Sequence, residues 1–71
     1  MAEDVRAHIT GVVFQIAAPV GSKVAAGEPI LILESMKMEI PVEAPRAGVV
    51  RDVRVGEGET VQEGDVVATL D

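Results

Sequence analysis

The chain contains the same pattern twice. Shifted by 37 residues, Gly11, Val12, Val13, Gly21, Val24, Gly27 and Leu33 fall on Gly48, Val49, Val50, Gly58, Val61, Gly64 and Leu70, seven identities across residues 11 to 34 without a gap. Conservative pairs extend the match: Ile16 with Val53, Glu28 with Asp65, Ile30 with Val67 and Glu34 with Asp71. Self-similarity at a fixed period marks a repeated supersecondary unit. Because glycine matches glycine, the repeat preserves backbone turns as well as hydrophobicity, since glycine is favoured where φ is positive or where another strand passes closely.

Each copy reads as strand, turn, short strand, turn, strand, with β-branched residues filling the runs 12 to 16, 30 to 33, 49 to 55 and 66 to 70. Gly21, Gly27, Gly56, Gly58 and Gly64 punctuate them. No stretch holds a capped 3.6-residue apolar period, and Pro19, Pro29, Pro41 and Pro45 interrupt most helical candidates. An all-β fold is expected. Neither copy can bury its apolar face alone, so the two should pack as quasi-symmetric halves of a flattened barrel-sandwich hybrid of about eight strands, related by a pseudo-twofold axis. A length of 71 residues leaves room for one domain, residues 1–71, in which only about 60% of the unfolded surface is buried.

Composition narrows the function. Six basic against twelve acidic residues give a net charge of −6, the wrong sign for gripping phosphate backbones. The acidic residues are spread along the chain, as expected of a soluble monomer. The absence of cysteine removes disulfides and thiol chemistry and fits a reducing compartment. The longest apolar run, Ile30 to Leu33, is far too short for a bilayer, and Met1-Ala2-Glu3-Asp4 lacks the basic, apolar opening of a signal peptide, so a cytoplasmic location without membrane contact is expected. His8, the only histidine, has no partner nearby in sequence and reads as an exposed strand residue. Phe14, the only aromatic, reads as core, which leaves nothing to stack on bases. Catalysis in its own right and metal binding are poorly supported.

The seam between the copies carries Glu34-Ser35-Met36-Lys37-Met38-Glu39-Ile40, flanked by the strand Pro29 to Leu33 before it and by Ile40 to Ala44 after it. This pattern predicts a hairpin. Two-residue hairpin turns call for Asn-Gly or similar, because both central residues take positive φ, yet residues 34 to 44 offer none. The one tight turn without glycine is a candidate functional site, since such sites tolerate local strain. Two methionines bracketing a lysine at a surface tip suit a segment handled by several partners, although one of them is expected to tuck inward as core filler. Glu34 and Glu39 read as solvent-facing flanks.

Glu34-Ser35-Met36-Lys37-Met38 resembles the biotin attachment motif of biotinyl domains, found in biotin carboxyl carrier proteins and in pyruvate and acyl-CoA carboxylases. In those families the usual form is Ala-Met-Lys-Met or Ser-Met-Lys-Met, with the lysine on an exposed hairpin joining two quasi-symmetric halves. The resemblance runs from about Val5 to Leu70 and includes the Gly-Val-Val and Val-x-x-Gly elements of both copies. Met-Lys-Met alone is a weak signal; its place midway between two gapless repeats makes it specific.

The resemblance implies a non-catalytic carrier, with biotin held covalently on Lys37 and Glu34, Ser35, Met36, Met38 and Glu39 forming the surroundings its partners recognise. A biotin protein ligase would form biotinyl-adenylate, which the Lys37 amine attacks. An ordinary lysine, with a pKa of about 10.4, needs the ligase to take up its proton first. The ureido nitrogen of biotin would then accept a carboxyl group at a biotin carboxylase and give it up at a carboxyltransferase. The cofactor carries the reaction, and tethering raises its effective concentration at each site. The protruding thumb of some bacterial carriers finds no room in a gapless repeat. The chain reads either as a freestanding carrier or as a domain excised from a longer one.

Two other readings stay open. Lipoyl carriers of 2-oxoacid dehydrogenases or the glycine cleavage system share the fold and modify a hairpin lysine, typically within Asp-Lys-Ala or Asp-Lys-Val; methionine on both sides of Lys37 favours biotin. A purely structural module, like the hairpin-swapped sandwiches of efflux-pump fusion proteins, would leave Lys37 merely to hold the tip in water. Lys23, between Ser22 and Val24, serves as the comparison: it aligns with Thr60 and reads as an ordinary surface lysine.

Overall fold

A computed structural model describes residues 2–71. Eight strands follow in chain order: β1 (Glu3–Arg6), β2 (Gly11–Ile16), β3 (Lys23–Val24), β4 (Pro29–Ser35), β5 (Met38–Glu43), β6 (Gly48–Val53), β7 (Thr60–Val61) and β8 (Val66–Leu70). They form two antiparallel four-stranded sheets. One has the order β5-β4-β2-β7 and contains the hairpin around Lys37; the other has the order β1-β8-β6-β3 and contains the first and last strands. We call them the hairpin sheet and the terminal sheet.

The offset of 37 residues converts one sheet into the other. It carries β2 onto β6 and β3 onto β7 with identical bounds, and it turns the order β5-β4-β2-β7 into β1-β8-β6-β3. Even the irregularities are duplicated. The bulge of β2 between Val13 and Gln15 recurs in β6 between Val50 and Asp52. The register shift opposite Val42 and Glu43 in the β4–β5 pair recurs opposite Val5 and Arg6 in the β8–β1 pair. A bulge is a specific local geometry and not a defect, so its repetition supports the pseudo-twofold relation more strongly than shared hydrophobicity does.

The inward faces supply the core. Its buried apolar residues, apart from Ala18, fall into twin pairs: Val5 and Val42, Ala7 and Ala44, Val13 and Val50, Val24 and Val61, Ile30 and Val67, Leu31 and Ala68, Leu33 and Leu70. Each fully buried Leu, Ile or Val side chain contributes about 1.5–3 kcal/mol relative to exposure. The repeat thus starts earlier than its longest run of identities, because β1 is the twin of the second half of β5.

Six of the seven glycines are of the two expected kinds. Gly21, Gly27, Gly58 and Gly64 have φ of 94°, 86°, 91° and 93°. Each sits third in a four-residue turn closed by a backbone hydrogen bond, as where the Glu59 amide donates to the Gly56 carbonyl at 3.1 Å and the Ser22 amide to that of Pro19 at 3.1 Å. Gly11 and Gly48 instead mark close approaches: a β-carbon would stand 2.8 Å from the Glu34 carbonyl oxygen or 2.7 Å from that of Asp71. In the first turn of each pair a substitution has been absorbed. The Gly56 amide donates to the Glu59 carboxylate at 2.8 Å, whereas its twin Pro19 has no N–H to satisfy and Ser22 replaces the glutamate.

Two side chains and one strand boundary depart from expectation. Phe14 is not core: it is 50% exposed. Val13 faces inward and is paired with Leu33, so alternation turns Phe14 outward, and as the extra residue of the bulge it lacks a partner on β4. His8 is exposed as expected but lies in a bend between β1 and β2, not in a strand. The strand read over 49 to 55 runs Gly48–Val53, with the Arg54 amide still donating to the Val67 carbonyl at 2.9 Å. No thumb is present among the described residues, since β2 and β3 are joined by residues 17–22 just as β6 and β7 are joined by 54–59.

The foot of the hairpin meets the chain ends. β5 runs away from the tip to Glu43, and three residues later the Arg46 guanidinium reaches Glu3 Oε1 at 2.9 Å and the Asp71 carbonyl oxygen at 2.9 Å. In the second half, the ends of β1 and β8 therefore stand where the first half has its Met36–Lys37 turn.

Candidate functional site

The hairpin sheet presents Lys37. β4 and β5 are rich in β-branched residues, Ile30, Ile32, Ile40 and Val42, which suit pleated, half-buried strands. Burial of Leu31, Leu33 and Val42 fixes the register, because a one-residue slip would turn these side chains to solvent. With Glu34 opposite Glu39 and Ser35 opposite Met38, only Met36 and Lys37 remain to make the turn.

Both turn residues take positive φ, 53° at Met36 and 64° at Lys37, and among the described residues they are the only non-glycines to do so. Positive φ at both central positions is the requirement of a type I′ hairpin turn, normally met by Asn-Gly. A side chain in this region costs roughly 1–2 kcal/mol per residue, so the core-locked strands below must impose the conformation. The turn singled out by its lack of glycine is indeed the strained one.

Everything at the tip points outward. Met36 is 92% and Met38 64% exposed, so neither tucks into the core, contrary to expectation. The sheet core ends at Leu33 and Ile40, two rows below the turn, leaving no apolar space for a methionine to fill. Lys37, Glu34 and Glu39 are exposed and Ser35 is half-buried. Among the described residues the Lys37 amine has no hydrogen bond or ion pair.

Electrostatically the hairpin sheet is one-sided. The charged residues in its strands are Glu34, Glu39 and Glu43, all acidic, with Lys37 the lone base at the turn. Glu43 is the member of this set that the sequence reading omits; its signal is the recurrence of glutamate along the hairpin. The strands of the terminal sheet mix both signs, with Arg6, Arg51 and Lys23 beside Glu3, Asp4 and Asp52. Lys23 lies in edge strand β3, paired with Val49, without positive φ and away from any hairpin tip. The two lysines differ in setting as their flanking residues suggest.

The family described as "Biotin-requiring enzyme", of biotin/lipoyl domains, matches residues 1–70. The chain belongs to the biotin/lipoyl attachment family. Within it, the "Biotinylated protein TB7.3 homolog" of Mycobacterium leprae is 46% identical over 70 residues, covering 99% of each chain. The "Biotin/lipoyl attachment protein" of Bacillus subtilis is 41% identical over 63 residues, covering 89% of this chain and 86% of its own. Among solved structures, the Kluyveromyces lactis urea carboxylase contains a region that superposes with a TM-score of 0.95 and 35% identity, spanning all of this chain and 6% of that one. As a member of the biotin/lipoyl attachment family, the chain is a non-catalytic carrier domain with covalent biotin as its cofactor.

The tip fits such a group. An amide-linked acid needs a primary amine that no carboxylate holds down, space around it for an enzyme to close on, and a rigid base. Lys37 has all three: a side chain unpaired among the described residues, a two-residue turn with exposed neighbours, and strands locked by buried leucines.

Proposed function

We propose that Lys37 is the residue that carries biotin, and that this domain shuttles a carboxyl group between the active sites of a biotin carboxylase and a carboxyltransferase. The observation that carries the reading is the Met36–Lys37 turn: two consecutive non-glycine residues at positive φ, both exposed, at the tip of the β4–β5 hairpin. Strain maintained at a surface tip, where glycine would relieve it, points to a function for the side chains.

For loading, the neutral Lys37 Nζ attacks the acyl carbon of a biotinyl-adenylate in a ligase active site. A carbon–nitrogen bond forms, the carbon–oxygen bond to the phosphate breaks, AMP leaves, and the amine proton passes to a base of the ligase. Once bound, biotin supplies a ureido nitrogen able to accept and release a carboxyl group. The domain contributes position. Lys37 and the turn set the origin of the arm, and the rigid strands beneath keep the arm the main moving part, which holds its free end at a high effective concentration near each active site.

The test is intact mass after incubation with biotin protein ligase, biotin and ATP. One biotinyl group is expected on the wild type and on Lys23→Ala, and none on Lys37→Ala. Loss of the adduct in Lys23→Ala with retention in Lys37→Ala would overturn the assignment. Lack of a biotinyl adduct, with a lipoyl adduct formed by a lipoate ligase, would move the domain to the lipoyl carriers. Transfer of label from bicarbonate to the loaded domain by a biotin carboxylase and ATP tests the shuttle itself.

A further inference from the structure

The pseudo-twofold relation supplies an internal comparison, because outward positions of β2, and of β4 and β5 below the tip, have twins in the same local geometry on the other sheet. In the core the twins match in chemistry; on the outer faces Val12 and Val49 still match, but the positions beside them do not. Ile32 and Pro41 are cross-strand partners on the outside of the hairpin sheet, and their twins are Thr69 and Asp4, also cross-strand partners. Phe14, the outward bulge residue of β2, has Arg51 as its twin in the equivalent bulge of β6. The terminal sheet satisfies these polar groups internally: the Thr69 hydroxyl donates to Asp4 Oδ1 at 3.5 Å, and Arg51 lies 3.7 Å from the Asp71 carboxylate. The hairpin sheet has Phe14 half-exposed and Val12 40% exposed on the same face. The fold therefore does not require apolar residues at positions 14, 32 and 41, since its other half has Arg51, Thr69 and Asp4 there.

We infer that the outer face of the hairpin sheet, centred on Phe14 and Ile32, is the docking surface for the ligase that acylates Lys37. The inference rests on the assignment of Lys37 as the modified residue. Three observations select this partner. The face is continuous with the tip: Ile32 is three residues from Ser35, the last residue of β4 before the turn, roughly 10 Å at about 3.3 Å per residue, within the footprint of one enzyme. Its strand charges are all acidic, so it suits an apolar surface with a basic rim and would repel a second copy of itself. The ligase also meets the domain before any biotin is attached, so it has only protein surface to recognise, whereas later enzymes can bind the biotin itself. An exposed aromatic at the centre of such a face is the usual form of a binding anchor.

The experiment exchanges twins. Phe14→Arg places on the hairpin sheet the residue the terminal sheet already accommodates, and Arg51→Phe makes the reciprocal change as a control. Steady-state biotinylation is measured with biotin protein ligase, saturating biotin and ATP, and the carrier as varied substrate, with folding followed by circular dichroism. Phe14→Arg should lower kcat/KM by about tenfold, the loss expected when an aromatic anchor is removed, and mainly through KM. Arg51→Phe should leave kcat/KM unchanged. If Phe14→Arg unfolds the domain, Phe14→Ser and Ile32→Thr carry the same expectation. A folded Phe14 variant with wild-type kcat/KM, or an equal loss in Arg51→Phe, would overturn the docking surface while leaving Lys37 modified. A wild-type domain that the ligase never modifies would overturn the Lys37 assignment first and the docking surface with it.

Discussion

Glu34 and Glu39 stand directly opposite each other in the hairpin, one row below the pair that closes the Met36–Lys37 turn. Like charges at directly opposed positions oppose strand pairing, by roughly 0.2–1 kcal/mol, so the hairpin holds two carboxylates beneath its lysine at some expense of stability. Glu39→Gln should therefore raise the urea midpoint slightly, by the equivalent of about 0.5 kcal/mol, and high salt should shrink the gain. The same variant should slow biotinylation if the carboxylates contribute to recognition. An unchanged or lower midpoint at low salt would show that the pair does not repel.

The turn gives a second expectation. Met36→Gly removes a side chain from positive φ, a relief of roughly 1–2 kcal/mol offset by the greater freedom of glycine in the unfolded chain. Net stabilisation of about 0.5–1 kcal/mol in urea is expected, together with a lower rate of modification at Lys37. Destabilisation would mean that the Met36 side chain supports the turn.

Gly11 can be tested at the close approach it serves. Gly11→Ala drives a β-carbon to 2.8 Å from the Glu34 carbonyl oxygen, a backbone atom that yields only if β4 moves. A loss of about 1–3 kcal/mol is expected from denaturant unfolding. Gly21→Ala, in open space but at a φ of 94°, should destabilise through backbone strain without displacing β4. Chemical shifts of Glu34 and Ser35 separate the two effects: they should move in Gly11→Ala and stay in place in Gly21→Ala.

Arg46→Ala removes a side chain that binds Glu3 Oε1 at 2.9 Å, the Asp71 carbonyl at 2.9 Å and the Ala47 carbonyl at 3.0 Å. The ion pair is partly exposed, so the loss should be about 1 kcal/mol, not the larger value of a buried pair. Hydrogen exchange should accelerate at the amides of β1 and of Asp71 while the β4–β5 amides keep their protection. Equal acceleration in both sheets would show that Arg46 stabilises the fold as a whole.

Much of the fold is legible in the chain because glycine and buried valine leave little freedom in the alignment of one half on the other. Gly11 and Gly48 require the same close approach, and Val13 and Val50 the same inward position. β1 is harder to see: its twin relation rests on Val5 with Val42 and Ala7 with Ala44, separated from the main run of identities by unmatched residues. Lys37 is legible through a missing glycine. Phe14 is misread because an aromatic residue in an apolar run suggests the core, and a bulge cannot be counted from hydrophobicity. The apolar outer face is visible only in the mismatches of the repeat, Phe14 against Arg51 and Ile32 against Thr69, where the geometry is shared and the chemistry is not.

The pairing of Glu3 with Leu70 has a mechanical consequence. Because β1 and β8 are antiparallel neighbours whose outer ends lie side by side, tension applied to the two ends would peel their ladder one row at a time and not shear the whole of it together. Arg46, bridging Glu3 and the last residue of the chain, stands at the first row to be pulled. Force applied there would meet one guanidinium first, the rivet that resists the opening of the seam.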